Sequence, residues 1–422
     1  MTVNWKTLAA TVLFAALGLL LWVRGIAPAV SRVDTDFPNY LTAARIVVDG
    51  GPATRLYDDA WFQTQMRDYG IGNPQIGKFA PFPPPTALLL VPLARLQPLA
   101  ALRVLTGISL LCLAGSIVLL SRILGRNLLQ VGIFVLLSGH ATHTVLRFGQ
   151  PYILVSLSCI LGYLAYRRGW PLLAGVCFGL FVPIKYFPVV FLLYFLFRRQ
   201  WQVALGGAAS AAAVVLVSIA VLGWPVHQQF LTSILGSHLT AHLSMQNPFA
   251  ESYQSFDTLF RQLFVFDPTL NPHPWLALPA LQAVAVAVTK LGILAVALAS
   301  LVRLARNEGE DSVAPSIGLL GILVLLLAPA TATYHFILLW LPTALLLDWL
   351  LRAGAQLHAA ALLGLYSLIG FCPYGHTLPL AGRGGLTLLA YPRLYLMLAI
   401  FITCVHFVWR RAQTIQVAQR HA

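Results

Sequence analysis

Apolar residues run through this chain in long blocks separated by short polar breaks and two long polar stretches. The blocks fall at 7–27, 101–121, 128–146, 150–166, 170–183, 187–197, 201–223, 277–305, 313–330, 334–350, 355–372 and 388–408. Most have the length of a bilayer-crossing helix, about 20 residues. None shows the period-two alternation of a membrane-barrel strand, and only helices and closed barrels satisfy the backbone in lipid. The pattern predicts an all-α polytopic membrane protein with about 11–13 transmembrane helices and two large outer loops, 28–100 and 224–276. Residues 83–96 (PPPTALLLVPLARL) are expected to form a re-entrant or interfacial helix that does not cross alone. Blocks 170–183 and 187–197 are short, so Pro183-Ile184-Lys185-Tyr186-Phe187-Pro188 reads as a break in a helix. Non-helical backbone at that depth implies a water-lined cavity.

The first outer loop carries its own helix signals. Thr35 or Asp36 can cap a helix over 37–49, with Pro38 in its first turn and Gly50-Gly51 ending it. Phe37, Tyr40, Leu41, Ala44, Val47 and Val48 form an apolar stripe at helical spacing. That predicts an amphipathic helix lying flat on the outer leaflet. Phe79-Ala80-Pro81-Phe82-Pro83-Pro84-Pro85 then forces an extended segment.

Composition strengthens the membrane reading: 59% of residues are hydrophobic, 9% are charged, and the mean hydropathy is +0.79. The net charge of +14 comes largely from pairs at block ends, Arg122/Arg126, Arg167/Arg168, Arg198/Arg199, Arg303/Arg306 and Arg410/Arg411. With the N-terminus in the cytoplasm, all five pairs fall inside, together with Arg352. This is the positive-inside signal, and it argues against a nucleic-acid partner. The whole of 1–422 is read as one integral-membrane domain ending in a basic cytoplasmic tail, 410–422, with the first block a retained span. The five cysteines show no paired spacing and are read as free thiols. No cofactor is expected. His140 and His143 lack a nearby carboxylate or further histidine in sequence, so no metal site is expected either.

The candidate chemistry gathers at one face. Asp36 sits at the positive end of the loop helix, where the dipole favours a carboxylate; it can act as a general base or simply cap the helix. Arg147, Lys185 and Arg261 are cations at the outer boundary, suited to a phosphate, and Lys185 is the best placed of them. Arg147 also reads as an interfacial marker, and Gln150 as either a sugar contact or a structural hydrogen bond. Lys290 lies inside a span, where charge is costly, with no evident partner in sequence.

Several segments occur in an order that points to one family: DTDFPNYLTAARIVVDGG…LYD, FPPPTALLLVPLARL, RFGQPYILVSL, AGVCFGLFVPIKYFPVVFLLYFLFRRQW, YQSFDTLFRQLF and LAPATATYHFILLWLP. From about residue 34 to 350 the chain resembles glycosyltransferase family 87, the polyprenyl-phosphate-mannose-dependent mannosyltransferases of the GT-C membrane class. The resemblance implies a GT-C-type fold. It also implies an inverting transfer of a hexose, mannose in this family, from a polyprenyl-phosphate carrier to a lipid-linked or glycan acceptor. The setting implied is the plasma (inner) membrane, crossed many times, with the active site on the periplasmic or extracytoplasmic side. It assigns the base to Asp36, with Asp34 a neighbouring candidate, and an outer-leaflet histidine to His335, where ATATYH departs from the commoner wording. Substrate contacts are expected from Tyr40, Gln150, Tyr253, Gln254 and Tyr334, and donor-phosphate contacts from Lys185, Arg147 and Arg261. Expected partners are the sugar donor, a glycolipid or glycan acceptor, and membrane lipids. The alternative is a membrane transporter or lipid flippase, which should show repeat symmetry and midplane ionisable groups; the chain shows no internal repeat of that type.

Overall fold

The computed structural model describes residues 5–72, 76–239, 247–372 and 374–421. Helices dominate; among the described residues the only strand-like pairing is an isolated bridge between Asp267 and Asn271. Among the described residues six helices are long and apolar enough to cross a membrane, or seven if the bent pair within 128–148 counts as one span; this gives the all-α polytopic class, with fewer full-length spans than the blocks suggest because several blocks form short or broken helices. The chain divides into two compact units, residues 1–136 with 142–246, and residues 137–141 with 247–422.

The first unit opens with α1 (Trp5–Ser31), which passes through a π-helical turn at Trp22–Ile26. The loop helix follows as α2 (Phe37–Val48), then α3 (Asp59–Asp68) and the long α4 (Pro98–Leu124). The block at 128–146 is broken into α5 (Leu128–Leu136) and α6 (His140–Phe148), bent by 74°. Next come α7 (Tyr152–Arg167), α8 (Pro171–Gly179), α9 (Val189–Phe197) and α10 (Trp201–Leu222).

The signals for α2 hold at both ends. Pro38 lies in its first turn, and Gly50 takes a left-handed φ of 68° while the Gly51 N–H returns to the Ile46 carbonyl, a glycine stop of the Schellman kind. The setting differs from the expectation. Instead of lying flat with one face exposed, α2 is buried on almost every side, including Asn39 and Thr42. Its polar groups therefore need partners within the protein. Asn39 accepts the Lys78 backbone N–H, and Arg45 donates to the carbonyls of Ala94, Tyr69 and Leu96. An apolar stripe shows that one face will be covered; it is silent on what covers the other. We expect Arg45→Met to destabilise the protein by about 2–3 kcal/mol, because three charge-assisted bonds disappear together. A lowered thermal midpoint in detergent with unchanged monodispersity would show it.

Residues 83–96 form two short 3-10 turns, Pro84–Leu88 and Val91–Leu93, in place of the expected re-entrant or interfacial helix. Pro84, Pro85, Thr86 and Ala87 are buried there, and the segment packs into the same apolar cluster as Phe37, Tyr40 and Leu41 of α2.

Helices α8 and α9 have only nine residues each, and α8 stops at Gly179, earlier than the block suggests. The segment between them carries Lys185. What seats α8 is contact with α10 through small residues: a Cβ on Gly175 would run into the Val203 carbonyl, and one on Gly206 into the Leu172 carbonyl. Such close approach is the usual device of membrane helix pairs, since lipid gives them no hydrophobic drive to associate.

The second unit contains α11 (Phe256–Phe264), α12 (Pro279–Glu308), α13 (Val313–Leu327), α14 (Trp340–Arg352), α15 (Gln356–Phe371) and α16 (Pro392–His421). Ser255 caps α11, accepting from Thr258 N–H and donating to the Pro329 carbonyl. The charge inside α12 finds its counterpart here: Lys290 is ion-paired with Asp257 in the first turn of α11.

Candidate functional site

The acidic loop between α1 and α2 holds two carboxylates with different partners. Asp34 accepts the Nε–H of Arg147 at 2.5 Å and the Thr35 backbone N–H at 3.0 Å. Asp36 stands at the N-cap position of α2 but makes no capping bond with its side chain. Its Oδ2 instead accepts an N–H from Gln150 Nε2 at 2.8 Å. Of the two readings of Asp36, the capping one loses its geometric basis.

Behind Gln150 the bonds continue. Tyr40 OH donates to Gln150 Oε1 at 2.7 Å, and Lys185 Nζ donates to Tyr40 OH at 3.1 Å. Lys185 is buried among aromatic rings, with its ammonium 4.8 Å from the Phe82 centroid, 4.9 Å from Tyr152 and 5.6 Å from Tyr40. Tyr40 and Phe82 stack at 4.7 Å. A cation over ring faces is held by their quadrupoles, which offsets part of the cost of burying it.

The electrostatics of Asp36 follow from this setting. Burial raises its carboxyl above the ordinary aspartate value; the Gln150 N–H and the cations Lys185 and Lys78 oppose that, and the Asp34 charge adds to it. The residue is only half-buried by surface area, so an enclosed carboxylate keeps a path to its surroundings. Burial also holds Tyr40 well above the ordinary phenol value, so it keeps its proton and remains a donor to Gln150. A recess of about 220 Å³ lies on the neighbouring face of the loop, lined by Val33, Asp34, Thr35, Pro38, Asn39, Met66, Gly72, Ile76 and Gly77. It offers an acid, a hydroxyl and an amide beside apolar surface, the mix a sugar ring meets.

Five sequence-derived candidates thus lie in the first unit: Asp36, Tyr40, Gln150 and Lys185 in one bonded series, and Arg147 on Asp34. The Arg147 side chain is 41% exposed, and among the described residues Asp34 is its one polar partner. Its terminal nitrogens therefore remain presentable to an anion.

The other five lie in the second unit. His335 is buried in a 3-10 segment, Thr333–Leu339, and its Nδ1 accepts the Ala332 N–H at 3.0 Å. That bond places the proton of the neutral imidazole on Nε2. Tyr334 meets the His335 ring edge-on at 4.7 Å. Gln254 is buried and engaged with backbone throughout: it donates to the Glu251 and Ala390 carbonyls and accepts the Arg393 N–H. This bonding gives it a clamping place in the fold. Tyr253 precedes it at the start of the α11 cap, and Arg261, on α11, feels the Asp257 charge that also pairs Lys290.

Two cations escaped the sequence reading. Lys78 is half-buried and its charge reaches both Asp36 and Asp59; its signal was a lone lysine just ahead of the proline run. Arg393 is fully buried and donates to Thr333 Oγ1 at 2.7 Å; its signal was an arginine directly after Tyr391-Pro392, at the head of an apolar block.

Comparison with known proteins bears on this arrangement. The model of glycosyltransferase family 87 matches residues 79–329, more than half of the chain. The chain belongs to glycosyltransferase family 87. The matched stretch of this family 87 chain includes Arg147, Gln150, Lys185, Tyr253, Gln254 and Arg261, and starts after Asp36 and Tyr40. Over 242 residues it is 31% identical to the polyprenol-phosphate-mannose-dependent alpha-(1-2)-phosphatidylinositol mannoside mannosyltransferase of Mycobacterium tuberculosis, covering 52% of each chain. A protein of the same name from Mycolicibacterium smegmatis is 28% identical over 254 residues, 55% of this chain and 52% of that one. The chain spans about half the length of the curated relatives it matches.

Proposed function

We propose that this chain is a membrane mannosyltransferase that moves mannose from a polyprenyl-phosphate carrier to a hydroxyl of a lipid-linked or glycan acceptor, with Asp36 as general base. The observation that carries the proposal is the Asp36 carboxylate, free of capping duty and oriented by Gln150 beside a cationic surround. The acceptor oxygen attacks the anomeric carbon of mannose as the carbon–oxygen bond to the carrier phosphate breaks. The bonding pair leaves with the polyprenyl phosphate, and the hydroxyl proton passes to Asp36. One displacement inverts the anomeric centre, and it needs one carboxylate where a hydrolase acting through water needs two. A departing phosphate develops charge, which fixed cations stabilise. Arg147 is the cation best suited in the first unit, since Asp34 engages its Nε and its side chain stays partly exposed; Lys185 and Lys78 add positive potential. In the second unit, Arg261 is proposed for phosphate, Tyr253 and Tyr334 for substrate contact, and His335 for proton handling, on the strength of the family resemblance.

The outer face is proposed as the site's location. Gln150 stands just before the start of α7, and the basic pair Arg167/Arg168 stands at its other end. Likewise α4 begins beside α1, where Arg103 donates to the Val30 carbonyl, and ends at Leu124 with Arg122 in its last turn. In both helices the site end is opposite the basic end, which the positive-inside bias puts in the cytoplasm. The acceptor named for both relatives is a phosphatidylinositol mannoside, and that class is the first to try.

The test is transfer by purified protein in lipid nanodiscs, with labelled polyprenyl-phosphate-mannose and a series of mannosylated glycolipids. A labelled product that depends on the polyprenyl donor is expected. If label reaches no acceptor but crosses the bilayer on its carrier, the flippase alternative replaces this reading.

A further inference from the structure

We infer that Gln150 is a positioning residue for Asp36, held in one amide orientation by the Lys185–Tyr40 pair, and that it makes no essential contact with sugar. The inference rests on the reading of Asp36 as the base.

The argument is one of donors and acceptors. An ammonium only donates, so Lys185 must give its hydrogen to the Tyr40 oxygen. The Tyr40 proton must then point elsewhere, and it reaches Gln150 Oε1 at 2.7 Å. With its oxygen so engaged, Gln150 can present only its NH₂ to Asp36, as found at 2.8 Å. Turning the amide over would set its oxygen against the carboxylate and its NH₂ against a hydroxyl that has no other acceptor. The three bonds run in one sense from cation to anion, and bonds in such a series polarise one another.

The arrangement also selects a protonation state. An N–H donor bonds a carboxylate more strongly than a protonated acid, so Gln150 favours the form of Asp36 that can take a proton. The charged groups acting on Asp36 are Lys185 and Lys78, which favour the carboxylate, and Asp34, which disfavours it and is itself paired with Arg147. Tyr40 borders the same space and keeps its proton. Gln150 is 1% exposed, which leaves it little surface to offer a substrate.

The experiment measures kcat, KM for donor and acceptor, and the pH–rate profile for wild type, Gln150→Leu, Tyr40→Phe and Asp36→Asn in nanodiscs. Gln150→Leu is expected to lower kcat about 10²-fold, the scale for a misplaced catalytic group, with both KM values within about twofold. Its acid limb should move to higher pH, because the carboxylate loses its donor. Tyr40→Phe removes one oxygen and keeps the ring, so it serves if the leucine variant folds poorly. It should move kcat and the acid limb in the same directions by a smaller amount, because Gln150 is then free to turn. A rise in KM with kcat and the acid limb unmoved in both variants would overturn the inference and make Gln150 a substrate contact, while leaving the base assignment intact. Full activity in Asp36→Asn would overturn the base assignment itself, and this inference with it.

Discussion

Replacing Asp36 by asparagine is expected to reduce mannosyl transfer by about 10²–10⁴-fold, the usual worth of a positioned general base. Asparagine keeps the shape, and its side-chain oxygen can still accept the Gln150 N–H, so folding should be unaffected. What disappears is the capacity to take a proton. The wild-type profile carries a second signature. The working form is the carboxylate, and burial raises its pKa above the ordinary value. Activity should therefore fall as pH drops through a point above the usual aspartate range near ~3.9. Asp34→Asn gives the contrast. Because Asp34 anchors Arg147, its loss should raise the donor KM, and because its charge disfavours the Asp36 carboxylate, the acid limb should move to lower pH with the chemical step retained. Near-normal transfer by Asp36→Asn, with Asp34→Asn inactive, would move the base two residues toward the N-terminus.

Gly175→Leu should abolish accumulation of folded protein, for reasons unconnected with chemistry. Gly175 is pressed on the backbone of α10 at Val203 and Gly207, and neither obstacle is a side chain that can swing aside. Overpacking costs about 1–3 kcal/mol where neighbours can shift, and backbone obstacles take the penalty to that ceiling or past it. Gly107, inside α4, is the control. Nothing lies within 4 Å of a Cβ placed there, so Gly107→Ala should be neutral or gain up to about 1 kcal/mol of helix propensity. Size-exclusion profiles of fluorescently tagged variants would separate the two; equal peaks for both would show that α8 and α10 are not in such close contact.

Much of the scaffold was legible because lipid permits few solutions. Long apolar blocks had to be helices, and a lysine flanked by Pro183 and Pro188 had to interrupt one. The limits of α2 were legible too, since proline and paired glycines act locally. What escaped depends on residues far apart in the chain. Gln150 bonds Tyr40 across 110 positions, and no periodicity announces such a meeting. The partner of Lys290 was hidden for the same reason, as Asp257 belongs to a different helix. In sequence Asn39, Thr42 and Arg45 of α2 look like a solvated face. They face protein because Lys78, Ala94, Tyr69 and Leu96 bring backbone groups to meet Asn39 and Arg45. Gln254 was similarly marked by its neighbourhood in sequence, while its bonds are to the backbone of residues 251, 390 and 393.

The nine residues of α8 rise only about 14 Å, under half of a hydrocarbon layer near ~30 Å thick. Released alone from the translocon, such a segment has no stable seat, because its ends would leave peptide groups without partners in oil. Its seat is α10, which ends at Leu222. Part of that seat comes earlier, from α7, where Phe178 lies against Gly162, so the stretch has its full set of packing partners only once α10 has been made.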